Sequence, residues 1–500
     1  MSRPRHTNKR PLAIVGAIAL ITLAAHAGQP SRQLQNELNA TAPNQPVQAI
    51  LRLQPAILKF PAKTNRLQRL SSAYRQLTEH ARRSQAPVLA RLQKMHIPYR
   101  AFWISNDILV TASKRQIQQM LDWPEIRQGF SNAPFKVSLP ANESPPGQRL
   151  PQVINGIEWN VSMVNAPAVW ALGYTGQGVV VGGQDTGYQW DHPALINAYR
   201  GWNGSTANHN YNWHDAIHTG GGICGANSPV PCDDDGHGTH TMGTIVGDDG
   251  LGNQVGVAPG ARWIGCRNMD SGWGTPASYT ECFQWFMAPT DLNDQNPDPA
   301  RAPHIINNSW GCVPSEGCTD PDQLKTVVDN VVAAGIVVVV SAGNGGAACA
   351  TVTTPAAIYD SALTVGSTTS SDSISGFSSR GPVTVDGSNR MKPDLSAPGS
   401  SVRSAQLGGG YSLKSGTSMA SPNVAGVAAL LLSTTPSLAG QPAAIKAILT
   451  GSAEAKTTTQ NCGNLPGNQS PNNTYGWGRI DALAAVQSQL SDLIFADGFQ

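Results

Sequence analysis

The run IVVVV at residues 336–340 decides the fold class that we expect for this chain of 500 residues. Five consecutive β-branched residues without polar alternation are typical of a strand buried on both faces, and the run is too short to cross a membrane. Similar apolar runs alternate with helical stretches on either side of it, at residues 178–183, 263–266, 305–310 and 362–366. The sequence therefore predicts an α/β domain whose mostly parallel central sheet is covered by helices on both faces.

The composition excludes several classes of protein. Charged residues make up 13% of the chain and hydrophobic residues 40%, which excludes a disordered chain, a collagen and a coiled coil. The net charge of +2 removes the simplest case for a nucleic-acid-binding protein. The charge is nevertheless divided, because residues 28–151 carry a net +11 and residues 152–500 a net −13. This division favours either a basic arm for nucleic acid or two surfaces that dock on each other.

The first 27 residues have the pattern of a secretory signal peptide. Four basic residues precede an apolar run at residues 12–23, and Ala25-His26-Ala27 supplies the small residues that signal peptidase requires. We expect cleavage before Gly28 and a secreted protein, extracellular or periplasmic in transit. A membrane anchor is the alternative, and it is disfavoured because the run is shorter than the ~20 residues of a spanning helix.

Export also predicts the state of the cysteines. All eight lie after residue 152, and none has the CxxC spacing of a metal site. An even number of cysteines in an oxidising compartment favours disulfides over metal ligands. We expect the local bridges Cys224 with Cys232 and Cys312 with Cys318, and free buried thiols are the alternative.

The remaining chain divides into five segments in our interpretation. A flexible segment (28–46) precedes a small α+β domain (47–136), a proline-rich linker (137–155), the α/β body (156–487) and a tail (488–500). The linker predicts a protease-sensitive joint, because its prolines lie among polar residues. The tail ends in aromatic residues, which suggests a sorting signal, with a frayed end as the alternative.

The small domain has recognisable elements of its own. We expect a strand at residues 47–53, a long helix at 71–95, a hairpin at 101–112 and a short helix at 114–122. Together they predict a compact unit of about 90 residues, within the size range of small domains.

Three motifs place reactive side chains at the ends of predicted elements. Asp185 in VVGGQDTG follows a strand, at the edge where open parallel sheets hold functional groups. His237 in DDDGHGTH lies between glycines and is free to act as a general base, whereas a metal site with His240 is disfavoured by the spacing. Ser418 in SGTSMASP opens an apolar helix, whose dipole favours developing negative charge there.

These groups complement each other chemically. A serine hydroxyl is a weak nucleophile until a base takes its proton, and the imidazole needs a carboxylate that fixes its tautomer and stabilises its cation. Asn344 lies between glycines just after the IVVVV run and is a candidate donor to an oxyanion. A left-handed turn residue is the alternative interpretation of Asn344.

The local sequences QDTG, DGHGTHTMGT, SAGNGG and GTSMASPNVAG, in this order, resemble those of the subtilisin-like serine peptidases. The stretches HPAL, NYNW and GDDGLGNQ are similar to the bacillopeptidase F-like branch. The resemblance covers about residues 156–487 and implies a three-layer subtilisin-like fold and a serine endopeptidase that forms an acyl-enzyme. It implies Asp185 as orienting carboxylate, His237 as base, Ser418 as nucleophile and Asn344 as oxyanion donor.

The resemblance also implies a set of substrate-binding residues. Two extended segments should pair with the substrate backbone: Ser309, Trp310 and Gly311; Ser271, Gly272 and Trp273. The pocket for the residue before the scissile bond should be lined by residues 309–311, by Ser341, Ala342 and Gly343, and by roughly Thr353. The pocket segments contain no acidic residue, so we expect broad specificity with a preference for apolar or uncharged side chains.

The basic domain is similar in length and order of elements to the family's propeptide. It should act as an intramolecular chaperone and inhibitor of a zymogen that cuts itself within residues 137–155. The resemblance implies protein or peptide substrates and the chain's own propeptide as partners, with no nucleic acid and no stable membrane anchor, and a monomer when mature. An inactive peptide-binding relative and an acyl-transfer enzyme are the alternatives.

The chemistry that the resemblance implies requires no cofactor. A calcium site common in the family uses an aspartate nine residues after the catalytic one, and this chain has Ala194 there. Acidic residues in other loops are the remaining candidates for binding structural calcium. The alternative interpretation is that these carboxylates are only solvated.

Overall fold

The computed structural model describes residues 28–139, 156–311 and 319–497, with side chains through residue 490. We refer to residues 28–139 as the N-terminal domain and to residues 156–497 as the body. The expected signal peptide, most of the linker, Cys312 and Cys318 lie outside the described residues.

The N-terminal domain is a five-stranded sheet with three helices. Its sheet has the order β1-β5-β2-β4-β3, and an additional strand follows at the end of the domain. The elements in chain order are β1 (Gln29–Pro30), α1 (Arg32–Ala40), β2 (Pro46–Arg52), α2 (Arg66–Lys94), β3 (Tyr99–Phe102), β4 (Asp107–Ser113), α3 (Lys114–Leu121), β5 (Gln128–Ser131) and β6 (Phe135–Lys136). The predicted strand, hairpin and two helices are confirmed.

The prediction of a flexible segment at residues 28–46 is wrong. Strand β1 pairs with β5, and α1 buries Leu34 and Leu38 in the core of the N-terminal domain. Ser31 caps this helix by accepting a hydrogen bond from the Leu34 main-chain N–H at 3.3 Å. Two leucines four residues apart lie on one face of a helix, so this polar segment belongs to the folded domain.

The body is a three-layer α/β structure, as predicted. Seven parallel strands form its central sheet in the order β17-β16-β15-β14-β8-β11-β9. Its elements are β7 (Gly156–Ile157), α4 (Trp159–Met163), α5 (Ala166–Ala171), β8 (Val180–Asp185), β9 (Trp213–Asp215), α6 (His237–Val246), β10 (Asn253–Gln254), β11 (Arg262–Arg267), β12 (Met269–Asp270), β13 (Trp273–Gly274), α7 (Pro276–Met287), β14 (Ile305–Asn308), α8 (Lys325–Ala333), β15 (Val337–Ser341), β16 (Leu363–Thr368), β17 (Leu395–Pro398), β18 (Val402–Gln406), β19 (Gly410–Lys414), α9 (Thr417–Thr434), α10 (Pro442–Gly451) and α11 (Ala482–Asp497).

Helices cover both faces of this sheet. Helices α6 and α9 pack against each other and against one face, over a core that contains Val339, Val365 and Leu430. Helices α7 and α8 cover the other face, over a core that contains Val338 and Val340. Alternate residues of the IVVVV run thus enter opposite cores, which explains why the run lacks polar residues.

The last helix changes the interpretation of the tail. Helix α11 runs from Ala482 to Asp497, so residues 488–497 continue a helix of the body and do not form a separate segment. Within the described residues, no helix is both long enough and apolar enough to span a membrane.

Among the described residues of the body, three disulfides connect loops and elements. The predicted bridge between Cys224 and Cys232 is confirmed. Two further bridges join Cys266 to Cys282 and Cys349 to Cys462, the latter across 113 residues of sequence. The structure leaves no cysteine unpaired in the part of the chain that it describes.

Candidate active site

Asp185 and His237 form a buried hydrogen-bonded pair at the edge of the central sheet. Asp185 is the last residue of β8 and His237 the first of α6, and His237 Nδ1 lies 2.7 Å from Asp185 Oδ1. A carboxylate can only accept, so Nδ1 carries the proton. Nε2 of His237 is left as the basic nitrogen, and it has no partner among the described residues.

A second carboxylate holds this pair in position. Asp233 Oδ1 accepts from the Thr186 hydroxyl at 2.8 Å and from the Gly236 N–H at 2.8 Å. Its Oδ2 accepts from the Thr239 N–H at 2.9 Å, which caps the first turn of α6. Asp233 therefore ties the end of β8 to the start of α6. From the sequence, Asp233 is only one of the acidic loop residues open to calcium, although an acidic residue just before a helix start is a capping signal.

Ser418 is the second residue of α9, the helix that packs against α6. Its hydroxyl donates to the main-chain carbonyl of Ser309 at 2.7 Å and is not hydrogen-bonded to His237. The structure thus brings Asp185 and His237 into direct contact and holds the Ser418 hydroxyl on the neighbouring substrate segment. Main-chain N–H groups of the first helical turn have no partner within the helix, so the Ser418 N–H is available to a ligand.

The side chain of Asn344 is oriented by Thr417. Its Oδ1 accepts from the Thr417 N–H and from the Thr417 hydroxyl, both at 2.9 Å. This leaves the Nδ2 group, which has no hydrogen-bond partner among the described residues, on an exposed side chain. Asn344 therefore presents donors, and not its carbonyl oxygen, to a molecule beside the start of α9.

Burial determines the electrostatics of the site. Burial raises the pKa of Asp185, while the neighbouring His237 and the Thr186 N–H act in the opposite direction. Burial also holds the pKa of His240 well below its ordinary value. His240 Nε2 lies 3.1 Å from the carbonyl oxygens of Val402 and Ser412, so it is a neutral core residue. The residues that the structure describes include no cluster of three metal-ligating side chains.

Of the predicted substrate segments, the one at residues 309–311 contacts the Ser418 hydroxyl through the Ser309 carbonyl. Ser309, Trp310, Ser341 and Ala342 are buried, and Gly311 and Gly343 are half-buried. A Cβ added to Gly311 would lie 3.0 Å from Thr354 Oγ1, so Thr354 forms part of the wall beside Gly311.

The predicted substrate segment at residues 271–273 needs a correction of register. Ser271 and Gly272 form the turn between β12 and β13, with φ values of 49° and 82°, and the strand itself contains Trp273 and Gly274. The extended edge therefore includes Gly274, and Ser271 does not pair through its backbone. A left-handed conformation at a serine is rarely indicated by sequence, because it is imposed by the tertiary context.

The residues present do not fit the family's calcium site at Ala194. Ala194 is buried and has no oxygen ligand in its side chain, and its carbonyl accepts from the Asp248 N–H at 3.1 Å. The adjacent Asp249 is already occupied by protein donors, because Oδ1 accepts from the Leu251 N–H and Oδ2 from Asn253 Nδ2 and Tyr411 OH.

An arginine links the elements around this loop. Arg403 is 3% exposed, pairs with Glu158 Oε1 at 2.9 Å and donates to Asn253 Oδ1 at 2.9 Å. Its guanidinium lies 4.2 Å from the ring centre of Tyr411. Arg403, in β18, thus joins the start of the body to the 249–253 loop. Its positive charge connects separate segments here, as a bound cation would.

Replacing Arg403 by methionine is expected to destabilise the body by about 3–5 kcal/mol, because it leaves the Glu158 carboxylate without its cation in a largely buried position. Chemical unfolding of the inhibited protein measures this change. The double variant Arg403→Met/Glu158→Gln should recover part of the loss. In the unsubstituted protein, a chelator should leave the unfolding midpoint unchanged, and a large drop would contradict the assignment of this role to Arg403.

Comparison with known proteins agrees with this geometry. The profile of the subtilase family matches residues 176–478, which contain all four catalytic candidates. The chain is 36% identical to bacillopeptidase F of Bacillus subtilis (strain 168) over 457 residues, 88% of this chain and 30% of that protein. It is 31% identical to subtilisin E of the same organism over 282 residues, 56% of this chain and 62% of that protein.

A subtilisin of Bacillus pumilus is 32% identical over 282 residues, 56% of this chain and 86% of that protein. The chain therefore spans about a third of bacillopeptidase F and somewhat less than two thirds of subtilisin E. Because the profile covers more than half of the chain and includes the Asp185–His237 pair, Asn344 and Ser418, the chain belongs to the subtilase family of serine peptidases.

Proposed function

We propose that this protein is a secreted serine endopeptidase, made as a self-processing zymogen, that hydrolyses peptide bonds of proteins with broad specificity. The observation that carries the proposal is the 2.7 Å contact between His237 Nδ1 and Asp185 Oδ1. It leaves a basic Nε2 without a partner among the described residues, at the start of the helix that packs against the Ser418 helix. A base, an orienting carboxylate and a hydroxyl are the requirements of nucleophilic acyl transfer.

In the reaction that we propose, the Ser418 hydroxyl leaves the Ser309 carbonyl and turns toward His237. Its proton passes to His237 Nε2 while the oxygen attacks the carbonyl carbon of the substrate. Asp185 stabilises the imidazolium, and the Ser418 N–H and Asn344 Nδ2 donate to the oxyanion. The imidazolium then protonates the leaving amine, which produces an acyl-enzyme. Water, deprotonated by His237, releases the acid by the same steps.

The direct test is covalent labelling with a serine-directed phosphonate or sulfonyl fluoride, followed by peptide mapping of the purified protein by mass spectrometry. The proposal expects one adduct, on Ser418, and no adduct in a His237→Ala variant, because the unassisted hydroxyl is a weak nucleophile. Adducts on another serine in the unsubstituted protein would overturn the assignment.

Asn344→Ala is expected to lower kcat by about 10²–10³-fold with little change in KM, because the amide donates to a charge that develops only in the transition state. The prediction follows from the hydrogen bonds that direct Nδ2 away from Thr417. Steady-state kinetics on a peptide substrate check it, with Asn344→Asp as a second variant that keeps the size and removes the donor. A change confined to KM would instead assign Asn344 to ground-state binding.

The pocket composition makes a prediction about specificity. The segments at residues 309–311 and 341–343 offer no carboxylate to a substrate side chain, so a buried lysine or arginine would lack a counter-ion there. Cleavage of a peptide library should therefore favour apolar and uncharged residues before the scissile bond. Strict cleavage after arginine or lysine would contradict this prediction.

The N-terminal domain supports the zymogen part of the proposal, because its last strand extends the edge of the cleft. Strand β6 pairs antiparallel with β13, and the Val137 N–H donates to the Gly272 carbonyl at 2.8 Å. Phe135 packs against Tyr279, which itself stacks on Trp310 with ring centres 3.7 Å apart. A chain that follows an edge by strand addition occupies the place of a substrate backbone.

Most of the arginine contacts between the two parts are directed at main-chain carbonyls. Arg52 donates to the carbonyls of Asp322 and Gln323, Arg66 to those of Ala302 and Pro303, and Arg69 to that of Ala333. Charge-assisted bonds of this kind are strong and geometrically specific. These arginine contacts hold the basic N-terminal domain on the body, which supports docking of the two parts over the alternative of a nucleic-acid arm.

A further inference from the structure

One buried carboxylate at the boundary between the N-terminal domain and the body is contacted by nitrogen groups from both. Glu281, on α7, is 8% exposed. Its Oε2 pairs with Arg100 of β3 in the N-terminal domain. Its Oε1 lies 2.9 Å from His214 Nε2 and 2.8 Å from His218 Nε2, both in the body. We call these four residues the Glu281 cluster.

We propose that the Glu281 cluster is a proton-sensitive latch, whose hold on the N-terminal domain is strongest when His218 is neutral and weakens when His218 is protonated. The inference rests on the proposed function, because it concerns how the inhibitory domain leaves the cleft. It identifies protonation of His218, a residue of the body, as the event that promotes activation.

The charges of the cluster explain the effect. With neutral imidazoles, the negative Glu281 faces the positive Arg100, and the two imidazole N–H groups complete the carboxylate's hydrogen bonds. With His218 protonated, the two cations of Arg100 and His218 share one buried carboxylate, and Arg100 is the one that leaves with the N-terminal domain. Repulsion between these cations therefore weakens the contact between the two domains.

Reciprocal linkage gives the same result. Arg100 lowers the pKa of a neighbouring histidine, so protonation of that histidine must weaken the binding of Arg100. Burial lowers the pKa of His218, but Glu281 more than offsets burial, so the net pKa is raised above 6.5 even with Arg100 docked. Burial alone would raise the pKa of Glu281, but the imidazoles and Arg100 outweigh it and hold this pKa far below its ordinary value. Glu281 therefore remains charged throughout.

The sign and the pH range follow from these shifts. Undocking removes Arg100, so the pKa of His218 is higher in the undocked body than in the docked protein. Docking is therefore strongest at pH values above the pKa that His218 has in the undocked body. It weakens as the pH falls through that pKa and then through the lower pKa of His218 in the docked protein. Because the docked value already exceeds 6.5, the weakening begins near neutral pH.

Other charged groups face the two histidines without cancelling the effect. His214 Nδ1 lies 3.4 Å from Asp294 Oδ1, which is 67% exposed and therefore screened by solvent. The His214 ring stacks on Trp285, and His218 Nδ1 contacts Asn227 Oδ1. Asp270 lines the cavity beside His218. None of these groups belongs to the N-terminal domain, so they remain on the body in both states.

Protons reach the cluster through two cavities at the domain boundary. A cavity of about 420 Å³ is lined by Arg100, His218 and Glu281 together with Trp273 and Gly274. A second, of about 390 Å³, is lined by Arg100, His214 and Glu281 on the other side. The first cavity adjoins β13, the strand that holds β6. Loss of the Arg100 contact therefore loosens the domain next to the strand that occupies the cleft.

The remaining arginine contacts do not titrate, because carbonyl oxygens accept them. Asp320 is a second titratable group at the boundary, bonded to the Ser31 hydroxyl and the Gln33 N–H, and burial raises its pKa from 3.8. It is unaffected by substitutions of His214 and His218. A double histidine variant therefore separates the Glu281 cluster from Asp320.

The experiment uses the full chain with Ser418→Ala, so that no cleavage interferes. Hydrogen–deuterium exchange, corrected for the intrinsic pH dependence, follows the Val137 amide and the β6–β13 pair between pH 8 and pH 5. We expect protection to fall about tenfold for each unit by which docking shifts a histidine pKa, while β2 and β4 keep their protection. In the chain that also carries His214→Gln and His218→Gln, this fall should be absent.

Further variants make the result decisive. Arg100→Gln should give low β6 protection at pH 8, with little further change toward pH 5. If β6 loses as much protection in the double histidine variant, the proposal is overturned and Asp320 is indicated instead. If the protection of β6 does not change with pH at all, the proposal is also overturned. Circular dichroism at pH 8 confirms that each variant is folded. Because no measurement requires catalysis, failure of the latch is distinguishable from failure of Ser418 labelling.

Discussion

Peptide hydrolysis by the Ser418→Ala variant is expected to be about 10⁶-fold slower in kcat than that of the unsubstituted protein. In the proposed mechanism the hydroxyl is the atom that forms the acyl-enzyme, and it lies at the start of α9, the helix that packs against the His237 helix. A residual rate about 10³–10⁴-fold above that in water should persist, because the oxyanion donors and the substrate segments remain.

The same variant tests maturation. A chain that cuts itself should, with alanine at 418, keep its N-terminal domain attached, which intact-mass spectrometry of the secreted protein detects directly. Ser433→Ala is the matched control, since Ser433 lies on the same helix and bonds only to the Leu430 carbonyl. Recovery of the Ser418→Ala protein already without residues 28–139 would show that another protease processes it.

The parallel sheet could be predicted from sequence because each of its strands is buried on both faces. The IVVVV run matches β15, which is displaced by one residue to Val337–Ser341. The burial of such a run can be predicted without knowing which elements pack against it, since its hydrophobicity alone favours the interior. The helix α1 was missed for the opposite reason. Leu34 and Leu38 are the only residues that it buries, and two leucines in a polar segment give a weak periodic signal.

Details of the site depend on contacts that no local pattern encodes. The order of motifs indicated which side chains meet, but the Ser418 hydroxyl bonds to Ser309, a residue 109 positions away. The amide of Asn344 is oriented by Thr417 across 73 positions. The same holds for the disulfide between Cys349 and Cys462, whose pairing follows from proximity in the fold.

Strand β6 is another element that could not be predicted from the sequence. Residues 135–139 lie just before and at the start of the segment interpreted as a linker, whose prolines among polar residues indicate no independent structure. Phe135 is nevertheless 4% exposed, since it packs against Tyr279 of the body, which in turn stacks on Trp310. Phe135, Val137 and Leu139 alternate with polar residues, but an alternation of five residues is a weak strand signal as long as the partner strand β13 is unknown.

Asp185→Asn is expected to lower kcat by about 10⁴-fold, the loss typical of serine hydrolases whose orienting carboxylate becomes an amide. An asparagine keeps the shape of Asp185, but its NH₂ group can donate to His237 Nδ1. That favours the tautomer with the proton on Nε2, the nitrogen that must accept the proton of Ser418. The uncharged amide also fails to stabilise the imidazolium in a site with no solvent exposure for His237.

Steady-state kinetics should show this loss in kcat with KM nearly unchanged, because Asp185 is buried behind His237 and does not border the substrate segments. Asp191→Asn is the matched control, since Asp191 is an exposed carboxylate six residues further along the chain and should retain full activity. Stability is expected to change little, because burial already raises the pKa of Asp185 and opposes its charge. A loss of less than tenfold in kcat would mean that His237 is oriented by other contacts, above all those of Asp233 with the start of α6.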